Sequence, residues 1–148
     1  MILSLPWLLV SVIVYNIIVF IFGPDKANAA GNFDPSVVFN EVLFQLPMLS
    51  GATWSFTLGN LMVIFSLILL FMEILKATRT GGNSLVDHGL STLVFVICLI
   101  EFLVVKEAAT SVFFIIMIIC LIDVIAGFSV TIRAARRDLN VGAGLPTH

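Results

Sequence analysis

The chain has 148 residues, 60% of them hydrophobic and 11% charged, with a mean hydropathy of +1.18 and a formal net charge of −2. Average soluble domains carry about 25% charged residues. A soluble chain of this length would still leave roughly 30% of its unfolded surface facing water, so the solvent for most of this one must be lipid. Without a basic excess, nucleic acid is a poor partner. The length leaves room for one domain. Two cysteines, Cys98 and Cys120, fall inside apolar runs and fit neither a secreted disulfide framework nor a zinc spacing. No cofactor fingerprint, CxxC pair or nucleophile–base pair stands out, so neither a cofactor nor an enzyme is expected.

Four apolar runs are long enough to span a bilayer core of about 30 Å, which needs about 20 helical residues. They are Ile2–Phe22, Trp54–Lys76, Leu85–Val105 and Ser111–Ile132. All four are predicted helices, since open strands leave backbone groups unsatisfied in lipid. The expected architecture is an all-α membrane protein: a four-transmembrane-helix bundle over residues 1–138, with a short interfacial helix in the first outer loop. A flexible cytoplasmic tail is expected over 139–148.

The first run resembles a signal peptide because Ala27-Asn28-Ala29 looks like a small-residue cleavage site. However, no Lys or Arg precedes the run, and it is longer than a signal h-region, so an uncleaved helix is favoured. Tyr15 and Asn16 are its polar features, and Trp7 suits an interfacial anchor.

Residues Gly23–Ala52 form the one long connection. Asp34-Pro35 reads as an N-cap followed by proline at the first helical position. From there Val38, Phe39, Val42, Leu43 and Leu46 share one helical face, opposite Asn40, Glu41 and Gln45, until Pro47 ends the segment. A helix resting in the headgroup region is the plain reading, and a lid or docking face the sharper one.

The second spanning helix is expected to open at Trp54. Ser55 and Gly59 form a small-xxx-small pair that would admit a neighbouring helix, and Asn60 follows. Gly81-Gly82 breaks this helix. Ser84-Leu-Val-Asp87 matches a capping box for the third, with His88 beside it at the interface, where a histidine is usually solvated.

The third and fourth helices carry similar segments, Phe95–Glu101 and Met117–Asp123, each containing Ile-Cys-Leu-Ile and then an acid. The short Lys106–Thr110 turn makes these helices antiparallel neighbours. Lys76, Arg79, Arg133, Arg136 and Arg137 fall on one side of the membrane, against Lys26 and Lys106 on the other. The positive-inside rule then places both termini in the cytoplasm. The arginines Arg133, Arg136 and Arg137 also suit contact with anionic lipid.

Three acids lie within spans. At a rise of 1.5 Å per residue, Glu73 and Glu101 lie about 5 and 6 Å from their helix ends, whereas Asp123 lies about 14 Å deep. A central acid costs about 2.5–3.5 kcal/mol on insertion scales and faces the bundle, a wet cavity or a partner. A neutral Asp123 could donate a hydrogen bond to Asn16, Asn60 or Tyr15. Alternatively, Asp123, Glu101 and Glu73 form a staggered proton or cation path. Cys98 and Cys120 come out level and are weak soft-metal candidates, since thiols in spans pack as small hydrophobes. Two function classes result. One is a non-enzymatic accessory or scaffold subunit of a homo-oligomer or larger inner-membrane complex, in contact with membrane lipids. The other is a channel or transporter subunit using the intramembrane acids.

Overall fold

A computed structural model describes residues 5–24, 34–78 and 84–142, the side chains of 84–85, 134–135 and 137–142 excepted. Of the described residues, 75% are helical. Helix α1 covers Leu8–Phe22 and α2 is a single turn, Ser36–Phe39. Strands β1, Val42–Pro47, and β2, Thr53–Thr57, form an antiparallel hairpin. Three long helices follow: α3, Leu58–Ala77; α4, Ser84–Val104; and α5, Ser111–Gly142. A 3-10 turn at Lys106–Ala108 joins the last two.

Among the described residues, three helices are long and apolar enough to cross a membrane: Leu58–Ala77, Val86–Val104 and Ser111–Arg133. The apolar α1 has 15 residues, about 22 Å of helix, which falls short of a bilayer core. Residues 1–4, with which the first predicted span began, lie outside the described residues. Helix α5 continues to Gly142, well past the predicted boundary at Ile132, and carries the exposed Arg133 and Arg136 on its projecting half. Of the expected tail, 143–148 lie outside the described residues.

The first loop corrects the interfacial-helix prediction. The Asp34 cap is present: its Oδ1 accepts from the Ser36 amide at 2.9 Å. The helix it starts ends at Phe39, and Val42–Pro47 is a strand. The second helix accordingly opens at Leu58, not Trp54. The reason lies across the hairpin. Phe44 pairs with Phe56, and Leu46 with Trp54, which brings three aromatic rings together. Phe44 stacks on Phe56 at 4.7 Å, and Trp54 meets Phe56 edge-on at 5.6 Å. Such cross-strand pairs are not available to a local helix. Gly51 turns the chain with φ +83°, and the Met48 amide closes the loop on the Ala52 carbonyl at 2.8 Å. Thr57 and Asn60 then cap α3 reciprocally, through backbone and side chain.

The core runs between the helices. Tyr15 and Val19 of α1, Phe39 of α2, and Phe113, Ile116 and Cys120 of α5 are all buried in one cluster. Gly59 is a point of close approach: an added Cβ would meet Val112 at 2.9 Å and the Phe39 carbonyl oxygen at 3.0 Å. The predicted Ser55–Gly59 motif therefore works through Gly59 alone, since Ser55 lies on β2.

Candidate functional site

The internal polar groups form two clusters at opposite ends of the bundle. The end that holds the start of α1 is called the tail end, and the other the hairpin end. At the tail end, Glu73 is buried on α3. Its Oε2 accepts the Trp7 amide at 2.7 Å, and its Oε1 lies 3.1 Å from Lys76 Nζ. The carboxylate thus satisfies an amide at the α1 N-terminus and faces the positive end of that helix dipole. Lys76 also reaches the Leu5 carbonyl at 3.4 Å. The Glu73–Lys76 pair is a local i,i+3 contact, whereas the bond to the start of α1 joins residues 66 apart.

His88 was expected to be solvated at the interface. It is buried, with Nε2 2.6 Å from the Thr131 hydroxyl and its ring beside Phe128 at 5.8 Å. Gly127 makes this possible, because any Cβ there would collide with the imidazole. One turn further along α4, Ser91 faces the Asp123 carboxylate of α5. Asp123 is 5% exposed and faces its own bundle. Glu73, His88 and Lys76 lie within electrostatic range of it, and α3 packs on α5.

Asp123 does not have the polar partners first considered. Asn60 is exposed and is taken up by the Thr57 cap. Tyr15 and Asn16 belong to the cluster at the hairpin end. There the Tyr15 hydroxyl meets Thr110 Oγ1 at 2.6 Å and donates to the Glu107 carbonyl at 3.0 Å. Asn16 lies within hydrogen-bonding reach of Glu101. The middle of α1, not its end, meets the α4–α5 turn, and residue spacing alone does not reveal that offset. The Lys106 side chain is 91% exposed, 3.9 Å from Glu107.

Between the clusters, Cys98 and Cys120 are free, buried and next to one another across the α4–α5 interface, level as their spacing predicted. Among the described residues, no three His, Cys, Asp or Glu side chains converge at metal-ligating range. Ser11 of α1 and Ser66 of α3 share a hydrogen bond at 2.5 Å, midway along the bundle. A cleft of about 540 Å³, lined by Phe102, Ala109, Thr110, Ser111, Phe114 and Ile115, opens beside the α4–α5 turn. None of the buried acids lines it. The Arg137 side chain lies outside the described residues.

Compared with known proteins, the chain matches no family model, no curated protein and no solved structure.

Proposed function

We propose that the chain is a small multi-pass membrane protein that serves as a non-enzymatic accessory or scaffold subunit in a homo-oligomeric or larger membrane assembly. In this reading the apolar run Ile2–Phe22, of which α1 is part, is the fourth span, and both termini face the cytoplasm, on the side of the five basic residues. The observation that supports it best is the placement of Asp123. The most deeply placed acid faces inward, toward Ser91, instead of lining an open cavity. Three further buried polar pairs join helices or the α4–α5 turn, Ser11–Ser66, Tyr15–Thr110 and His88–Thr131, while Asp87 Oδ1 is buried without a partner. These contacts fix one arrangement of the helices and leave α3 and α4 with outward faces of Leu, Ile, Val and Phe. Such faces suit contact with lipid or with other apolar helices.

The test is a photo-crosslinking scan in native membranes, with a reactive side chain placed in turn at Ile64, Leu67, Ile68 and Phe71 of α3, and at Leu93, Ile97 and Ile100 of α4. Discrete protein adducts confined to one helical stripe are expected. Lipid adducts alone, at every position, would sink the assembly reading.

A second reading is supported by the electrostatic contact between Asp123 and Glu73, with His88 and Lys76 beside them. Here the acids carry protons or cations in a channel or transporter subunit. Liposome flux with wild type beside Asp123→Asn decides it: flux lost in a well-folded variant supports conduction, and no flux from wild type discards it.

A further inference from the structure

Residues 42–57 contain no Asp, Glu, Lys, Arg or His. The hairpin register sorts them by face. Phe44, Leu46, Trp54 and Phe56 lie on one side, and Gln45, Ser55, Pro47 and Thr53 on the other. From Phe44 onward the hairpin therefore has one aromatic side and one side without aromatic rings, and at its base the exposed Val42, paired with Thr57, and Leu43, at the register shift, add further apolar surface. Phe56 is buried at its base, yet Phe44, Leu46 and Trp54 each keep close to half of their surface open, and Leu49 at the turn is fully exposed. The bundle itself leaves this face uncovered.

We propose that the aromatic face of the hairpin lies in the lipid interface of the membrane that α3 crosses, with acyl chains and headgroups as its occupant. Four observations favour lipid over a second protein. First, β2 runs directly into the apolar α3 through the Thr57 cap, so the hairpin is attached where that span meets its interface. Secondly, α1 continues two turns beyond Tyr15, carrying exposed Ile17, Phe20, Ile21 and Phe22 at the same end, so the apolar surface continues past the α4–α5 turn. Thirdly, the segment has no charged group with which to select a protein partner by complementarity, whereas indole and phenyl rings partition to the headgroup boundary. Fourthly, a two-stranded sheet has two open edges, and their unpaired backbone groups need water or headgroups. That requirement keeps the hairpin out of the hydrocarbon centre and at the interface. The proposal rests on the membrane-spanning reading and not on assembly; a monomer would satisfy it equally.

Trp54 supplies the probe. The chain has one other tryptophan, Trp7, whose indole is exposed and whose amide makes the bond to Glu73, so Trp7→Phe leaves that contact in place. The full-length W7F protein is reconstituted in phosphatidylcholine vesicles brominated either high or deep on the acyl chain. Trp54 emission should be blue-shifted and fall by roughly half in the shallow-brominated lipid, with a smaller loss in the deep one, as an interfacial indole requires. Leu49→Trp, in a chain lacking Trp7 and Trp54, should follow the same order. Strong quenching by aqueous iodide without a bromolipid response would overturn the proposal in favour of a water-exposed hairpin. Shielding from both quenchers would overturn it in favour of a protein cover, a second copy first. If W7F does not fold, a nitroxide on Leu49→Cys reports the same depth through oxygen against nickel-chelate accessibility. Lipid-quenched Trp54 in a protein that gives no α3 or α4 crosslinks would keep this proposal while removing the assembly reading.

Discussion

Tyr15 and Phe39 lie face to face, with ring centroids 4.6 Å apart and planes 7° from parallel. Phe113 closes on the same tyrosine ring from α5 at 4.8 Å, tilted by 59°. One side chain of α1 thus holds both the turn that precedes the hairpin and the helix that follows the second polar cluster. Its hydroxyl adds the bonds to Thr110 and Glu107. Tyr15→Phe keeps the stack and removes those bonds, and should lower stability by about 0.6–1.7 kcal/mol, the range for interhelical hydrogen bonds in lipid. Tyr15→Ala also removes a fully buried ring and should cost about 3–5 kcal/mol. Denaturation in mixed micelles, followed by circular dichroism, checks the order. Equal losses in the two variants would contradict the packing role given to the ring.

The His88 imidazole occupies the space that Gly127 leaves open. Gly127→Ala should push the ring off Thr131 and destabilise the α4–α5 pair by about 1–3 kcal/mol, the usual cost of overpacking. His88→Ala in the same chain should recover the steric part, so the two substitutions are expected to couple by at least about 0.5 kcal/mol in a double-mutant cycle. Additive effects would show that the glycine and the histidine do not share one space.

Much of this architecture is legible in the residues themselves. The three long apolar helices follow from composition, because a run such as Phe113–Leu121 has no polar option in lipid. The level pair Cys98 and Cys120 follows from a short turn and a fixed rise per residue. The hairpin was missed because Val38, Phe39, Val42, Leu43 and Leu46 fit a helical period, while Phe44, Leu46, Trp54 and Phe56 fit a period of two equally well. The Ser50-Gly51 pair between two apolar, aromatic-bearing segments was the available signal. What could not be read locally was the axial position of α1 against the other helices. It decides that Tyr15 and Asn16 serve the hairpin end, leaving Ser91 to Asp123.

Asp34 gives a pH signature outside the spans. The Ser36 hydroxyl and amide both bond its carboxylate and hold it below its ordinary value. A folded value below the unfolded one means that the stabilisation is present above the unfolded value and fades as pH falls through the folded one. The group is fully exposed, so the effect belongs to the α2 turn and not to the bundle. Carboxyl-carbon NMR should show Asp34 titrating lower than a free aspartate. Ser36→Ala should move the midpoint back toward the ordinary value, but not completely, because the amide remains. An unchanged midpoint in that variant would remove the hydroxyl from the account.

Gly59 lies where α3, α2 and α5 approach closely, and its substitution tests whether that contact sets the position of the hairpin. An alanine Cβ there would stand 2.9 Å from a Val112 methyl and 3.0 Å from the Phe39 carbonyl oxygen. The methyl can rotate away, but the carbonyl belongs to the backbone and can yield only if α2 moves. Gly59→Ala should therefore cost about 1–3 kcal/mol, and Val112→Ala should restore only part of it. Gly89 offers the control: a Cβ there meets nothing within 4 Å, so Gly89→Ala should be neutral or gain a few tenths of a kcal/mol from helix propensity. Because Phe39 carries the stack on Tyr15, a shift of α2 should also disturb the near-ultraviolet dichroism of the aromatic cluster. Full recovery by Val112→Ala would instead locate the whole clash between side chains and leave α2 fixed.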